Sequence, residues 1–163
     1  MTIRILITGV ILFFIQIGFW PGIFPETFAP EFQIPVIVAL SLLIGRKEAI
    51  LYAGISGLVM DLYFTQAMGV RLLIYVVLAY ILGTYRHNFA KKSSFANGVM
   101  TLVASFSFQF FYALLLTFGG WGISLYRYIT IVFSHELILQ FALSYILYFI
   151  YIRGVKKKKH HFS

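Results

Sequence analysis

Long apolar blocks separated by short basic segments dominate this chain of 163 residues. Only 11% of the residues are charged and 61% are hydrophobic, which leaves too little charge to cover a water-soluble domain of this length. About 20 apolar residues suffice for one helical crossing of a bilayer, and the chain has room for about six such crossings. Because lipid offers the backbone no hydrogen-bond partners, each crossing should be helical. The pattern predicts an all-α integral membrane protein, a polytopic bundle of about six transmembrane helices.

The predicted spans follow one another with short connections. They cover residues 3–20, 34–45, 48–64, 69–85, 95–118 and 126–152. The second span is short for a full crossing, and both a start nearer Phe28 and a bend at Pro35 stay open. All four prolines fall between Pro21 and Pro35, where Glu26 and Glu31 also lie. This composition predicts an external loop ahead of the second helix.

The distribution of basic residues predicts the orientation. With the N-terminus inside, 11 of the 13 lysine and arginine residues lie on the cytoplasmic side, and only Arg71 and Arg127 lie outside. The positive-inside rule therefore places both termini in the cytoplasm. Residues 1–155 form a single six-helix transmembrane domain and residues 156–163 a basic cytoplasmic tail. The net charge of +8 thus predicts contacts with anionic membrane lipids, and no nucleic acid is expected.

Asp61 is the clearest candidate functional residue inside a span, because an ionisable group in hydrocarbon costs about 2.5 to 3.5 kcal/mol or more. Gly57 lies one turn earlier on the same helix face, where a small residue allows another backbone to approach. Arg71 begins the fourth span at about the depth of Asp61, and we expect the two side chains to form an ion pair. Such a pair would either fix the helical hairpin or take part in binding a substrate or partner.

A second set of polar residues follows the last two spans at intervals of four. Residues at equal depth in antiparallel helices have a constant sum of residue numbers. The expected pairs are Gln109 with Glu136, Ser105 with Gln140, and Thr101 with Ser144. This predicts an interhelical polar seam with Glu136 near the middle of the membrane. Since each hydrogen bond contributes about 0.6 to 2 kcal/mol, helix pairing is the simplest role, and a cavity lined by Glu136 is the alternative.

Signatures of catalysis and of metal or cofactor binding are weak. The chain has no cysteine, which excludes disulfides and thiolate chemistry. His135 and Glu136 open a zinc-protease pattern, but Leu139 occupies the position of the second histidine ligand. We therefore predict no catalytic, cofactor-binding or metal-binding residue, and we expect the protein not to be an enzyme.

A glycine-rich helix that ends in Gly-Leu-x-x-Asp-Leu and is followed by a short glycine-containing loop resembles the rod shape-determining protein MreD family. The residues that carry the resemblance are Gly54, Gly57, Leu58, Asp61, Leu62 and Gly69. Length, six spans and a basic C-terminal tail agree across essentially the whole chain.

The resemblance implies a non-enzymatic scaffold of the elongasome, in the bacterial inner membrane, that serves peptidoglycan biosynthesis and rod cell shape. The implied partners are the bitopic MreC, the actin-like MreB, and RodA with its transpeptidase partner. The candidate structural or partner-binding residues are Gly54, Gly57, Asp61, Arg71, Gln109, Glu136 and Gln140.

A substrate-binding subunit of an energy-coupling-factor vitamin transporter is the main alternative, because such subunits also have six helices. They typically carry Ala-x-x-x-Ala patches on the first helix, whereas residues 3–20 contain no alanine. A small-molecule cavity lined by Asp61, Arg71 and Glu136 would favour this alternative.

Overall fold

The computed structural model describes residues 2–19, 31–63, 68–89, 94–120 and 136–149, and the regular structure within these ranges is helical. The elements are α1 (Thr2–Phe14, continued by a π-helical turn, Ile15–Phe19), α2 (Gln33–Leu43), α3 (Arg46–Tyr63), α4 (Val70–Thr84), α5 (Arg86–Phe89), α6 (Ser94–Phe118) and α7 (Glu136–Phe149). The prediction of an all-α fold is confirmed for the residues that the structure describes.

The helix limits agree closely with the predicted spans wherever the structure describes them. The first five spans correspond to α1 with its π-helical turn, α2, α3, α4 and α6, with ends that differ by one or two residues. The short helix α5 lies in the basic segment between the fourth and fifth predicted spans. The remainder of the sixth span, most of the predicted external loop and the basic tail lie outside the described residues.

One described helix, Phe95–Phe118, is long and apolar enough to cross a membrane by length and composition alone. Four further apolar helices are shorter, namely Ile3–Phe19, Gln33–Leu43, Val70–Thr84 and Glu136–Phe149. The described helices also expose many large apolar side chains, among them Leu51, Ile55 and Phe118. Exposed apolar surface on this scale is typical of a protein that meets lipid or partner proteins.

Helix α2 forms the centre of the bundle. Its residues from Gln33 to Leu42 are all buried, and it packs against α1, α3, α4 and α6. A helix buried on every side needs apolar residues on every face, which the sequence Pro-Val-Ile-Val-Ala-Leu provides. Pro35 lies in the first turn, where its missing N–H leaves no intrahelical bond unmade. With 11 residues, α2 is about 16 Å long, roughly half of a hydrocarbon layer.

Helices α3 and α4 pack closely at two glycines. A Cβ atom on Gly57 would lie 2.6 Å from the Cα of Leu72, and one on Gly83 would lie 2.7 Å from the Cα of Arg46. Neither position admits a side chain without a shift of the neighbouring backbone. Gly54 is different, because its added Cβ would have its nearest neighbour at 3.9 Å, an ordinary contact. The predicted close approach at Gly57 is thus confirmed.

Candidate functional site

Asp61 lies in the last turn of α3 and is buried, with 4% of its surface exposed. Its carboxylate accepts hydrogen bonds from the main-chain N–H groups of Gly69 (3.0 Å), Arg71 (3.2 Å) and Leu72 (2.9 Å). These donors belong to the first turn of α4 and to the residue before it, where N–H groups have no partner within the helix. Asp61 therefore caps α4 from the preceding helix, at the positive end of the α4 dipole.

The predicted ion pair between the side chains of Asp61 and Arg71 is wrong, because the side chain of Arg71 pairs with Glu31. The Nε of Arg71 donates to the Oε1 of Glu31 at 3.0 Å, and its guanidinium lies 5.2 Å from the ring centroid of Tyr112. Asp61 and Arg71 do meet at the same depth, but through the main-chain N–H of Arg71. The side chain of Arg71 instead reaches Glu31, at the start of α2.

Glu31 is a site residue that the sequence analysis missed, because it was assigned to an external loop. It is 5% exposed and lies two residues before α2. Its Oε1 accepts from Arg71, and its Oε2 accepts from the Nε2 of Gln16 (3.1 Å) and the hydroxyl of Tyr75 (2.5 Å). Glu31 thus ties the ends of α1, α2 and α4 together. Arg71 could have indicated this role of Glu31, because Arg71 is a basic residue predicted on the outer side, where Glu26 and Glu31 are the nearby acidic residues.

The predicted polar seam between the last two long helices is confirmed in its pairing. The hydrogen bonds join Gln109 Nε2 to Glu136 Oε2, Ser105 Oγ to Gln140 Oε1, and the hydroxyls of Thr101 and Ser144. Within α7, Gln140 also donates to Glu136 at 2.7 Å. The side chains of Ser105, Gln140 and Ser144 are fully buried, so the seam holds α6 and α7 together in the interior.

One hydrogen bond joins the seam to the Glu31 cluster. The main-chain N–H of Glu31 donates to Glu136 Oε1 at 3.0 Å, and Glu136 is 3% exposed. The result is one buried polar network, defined here as Gln16, Glu31, Arg71, Tyr75, Ser105, Gln109, Glu136 and Gln140. It connects α1, α2, α4, α6 and α7.

The polar groups of this network mainly hold helix ends in place. Both carboxylate oxygens of Asp61, Glu31 and Glu136 accept at least one hydrogen bond from the protein itself. Among the described residues, no group of three or more histidines and acids is placed to hold a metal ion. Three buried amide oxygens, on Gln16, Asn97 and Gln109, have no hydrogen-bond partner among the described residues, and ordered water commonly binds at such atoms.

Gly54 stands apart from the network, whereas the other predicted site residues lie in it or beside it. Gly57 sets the distance between α3 and α4, and Asp61 caps α4 one turn further on. Arg71, Gln109, Glu136 and Gln140 belong to the network itself. The structure therefore joins residues that are far apart in the chain, such as Glu31 and Glu136, which are 105 positions apart.

An apolar exterior, helices as the regular structure of the described residues, and a buried network that includes Glu31 and Glu136 are typical of a helical membrane protein. The family model described as rod shape-determining protein MreD matches residues 1–157. The chain belongs to this family, and membership implies a role in determining rod shape. A search of curated proteins found no match, and neither did a search of solved structures.

Proposed function

We propose that this protein is a non-enzymatic scaffold of the bacterial cell-wall elongation machinery that maintains rod shape from within the inner membrane. In this proposal the chain crosses the membrane about six times and keeps both termini in the cytoplasm. Family membership supports the link to rod shape. The 11 basic residues on one side of the predicted spans support the orientation.

The observation that carries the scaffold role is that all three buried carboxylates among the described residues hold the protein itself. A transport or catalytic site needs polar groups that a substrate can occupy. Here Asp61, Glu31 and Glu136 instead accept hydrogen bonds from helix ends and neighbouring side chains. Such a network fixes one arrangement of helices, which is what a protein that presents a surface to partners requires.

We further propose an MreC-like bitopic protein, an MreB-like actin homologue, and RodA with its transpeptidase partner as the proteins that this scaffold holds. The apolar exterior offers surfaces to membrane helices and to lipid. The proposed roles of the site residues follow from their contacts. Gly57, Asp61 and Arg71 set the α3–α4 hairpin, and the seam residues Gln109, Glu136 and Gln140 hold α6 and α7 to it.

The test is affinity purification in mild detergent from a rod-shaped host whose own MreD has been depleted. We expect this chain to restore rod shape and to recover the MreC-like protein and RodA. Asp61→Ala should reduce both effects, whereas Ser107→Ala should reduce neither, because the Ser107 hydroxyl bonds within its own helix. Round cells and a preparation free of both partners, despite normal accumulation of the protein, would refute the proposal.

A further inference from the structure

Helices α1 and α3 leave an apolar groove of about 530 Å³ on the outside of the bundle. One wall is formed by Leu6, Val10 and Phe13 of α1, and the other by Leu51, Ile55 and Val59 of α3. These spacings of three and four residues put each set on one helix face. Leu51 and Ile55 are 67% and 66% exposed. The groove is therefore an open apolar surface about three helical turns long.

The side chain of Tyr52 lies at the floor of the groove and turns into the bundle. The Tyr52 hydroxyl donates to Gln33 Oε1 of the buried helix α2. Its ring passes under α1 at Gly9, where an added Cβ would clash with the ring. Because Tyr52 points into the bundle and Gly9 has no side chain, neither residue fills the space between the two walls.

One end of the groove carries a negative charge. Glu48 lines the groove, lies in the first turn of α3 and has an exposed side chain. In the proposed topology this end lies on the cytoplasmic side. The Glu48 carboxylate lies beside Gly45, where the Arg86 guanidinium also lies, and it attracts an ammonium or guanidinium group. Membrane helices carry their lysine and arginine residues at this boundary.

We infer that this groove binds the single membrane-spanning helix of a bitopic partner that carries a lysine or arginine at its cytoplasmic end. The inference rests on the proposed function and specifies which surface of the scaffold the MreC-like partner occupies. The apolar face of the partner helix packs between α1 and α3, and its basic residue meets Glu48.

The test is disulfide cross-linking in membranes, which is direct because the chain has no cysteine of its own. Leu51→Cys and Ile55→Cys are each paired with single cysteines along the membrane helix of the MreC-like partner. A disulfide requires Cα atoms within about 7 Å. We expect cross-links at both groove positions and none at Val103→Cys, a control on α6 that is 56% exposed.

A second measurement tests the charge. Glu48→Gln should weaken recovery of the MreC-like partner about two- to fivefold, the effect of one exposed ion pair, and Lys47→Gln should leave recovery unchanged.

If the partner is recovered normally but forms cross-links only at Val103→Cys, the groove assignment is overturned and the scaffold role stands. Disulfide dimers of this chain at Leu51→Cys would assign the groove to a second copy. If the groove cysteines form no cross-link while the partner is still recovered, lipid fills the groove. If no MreC-like protein is recovered even with the unaltered chain, both proposals fail.

Discussion

Replacing Asp61 with alanine should destabilise the α3–α4 hairpin, because the Asp61 carboxylate caps the first turn of α4. The substitution removes three hydrogen bonds to a charged acceptor, at 2.9 to 3.2 Å, and leaves three main-chain N–H groups without their partner. A lost helix cap costs about 0.5 to 2 kcal/mol, and an unsatisfied buried donor costs about 1 to 3 kcal/mol. Since these hydrogen bonds are only partly buried, we expect a total loss of about 3 to 5 kcal/mol.

The assay is equilibrium unfolding of the purified protein in mixed detergent micelles, followed by circular dichroism, with Ser107→Ala as the control. Asp61→Asn keeps one acceptor oxygen and loses the charge, so it should lie between the other two variants, at a loss of about 1 to 2 kcal/mol. If Asp61→Ala unfolds within about 0.5 kcal/mol of the unaltered protein, the range expected for ordinary surface changes, the capping role assigned to Asp61 is refuted.

Three further comparisons test other parts of the bundle by the same unfolding assay. Gly57→Ala should cost about 1 to 3 kcal/mol through overpacking, whereas Gly54→Ala, with its nearest neighbour at 3.9 Å, should cost much less; equal costs would contradict the close approach. Glu31→Ala should cost about 3 to 5 kcal/mol because it removes one member of the largely buried Arg71–Glu31 ion pair, and the added change Arg71→Ala should recover part of that loss; fully additive losses would show that the two do not interact. Ser144→Ala should cost about 0.6 to 2 kcal/mol as the seam loses its hydrogen bonds, and no measurable loss would make this part of the seam energetically neutral.

Periodicity and helix depth were sufficient to predict the helices and the seam. Apolar block lengths located α1, α3, α4 and α6 within one or two residues, and equal-depth pairing identified Gln109 with Glu136 as partners. Both inferences depend only on the regular rise of a helix, which the sequence determines directly.

The partner of Arg71 and the position of α2 depend on tertiary packing and could not be predicted in the same way. Asp61 and Arg71 lie at equal depth, but depth does not specify whether a side chain or a main-chain N–H makes the contact. Glu31 follows a proline-rich segment, which favours a loop locally, although the buried bundle holds it 5% exposed. The shortness of α2 was visible in the sequence, whereas its central position follows from contacts with five other helices.

The short central helix has a consequence for how this chain can vary. Helix α2 is anchored at both ends, by Glu31 before its first residue and by Arg86, which donates to the carbonyl of Ile44 just after its last residue. Inserting one residue between these anchors would rotate one end relative to the other by about 100° and move it by about 1.5 Å. The hydrogen bonds of Glu31 and Arg86 could not then form at the same time. Residues 31 to 45 should therefore keep a fixed length among homologues, even where the connecting segments gain or lose residues.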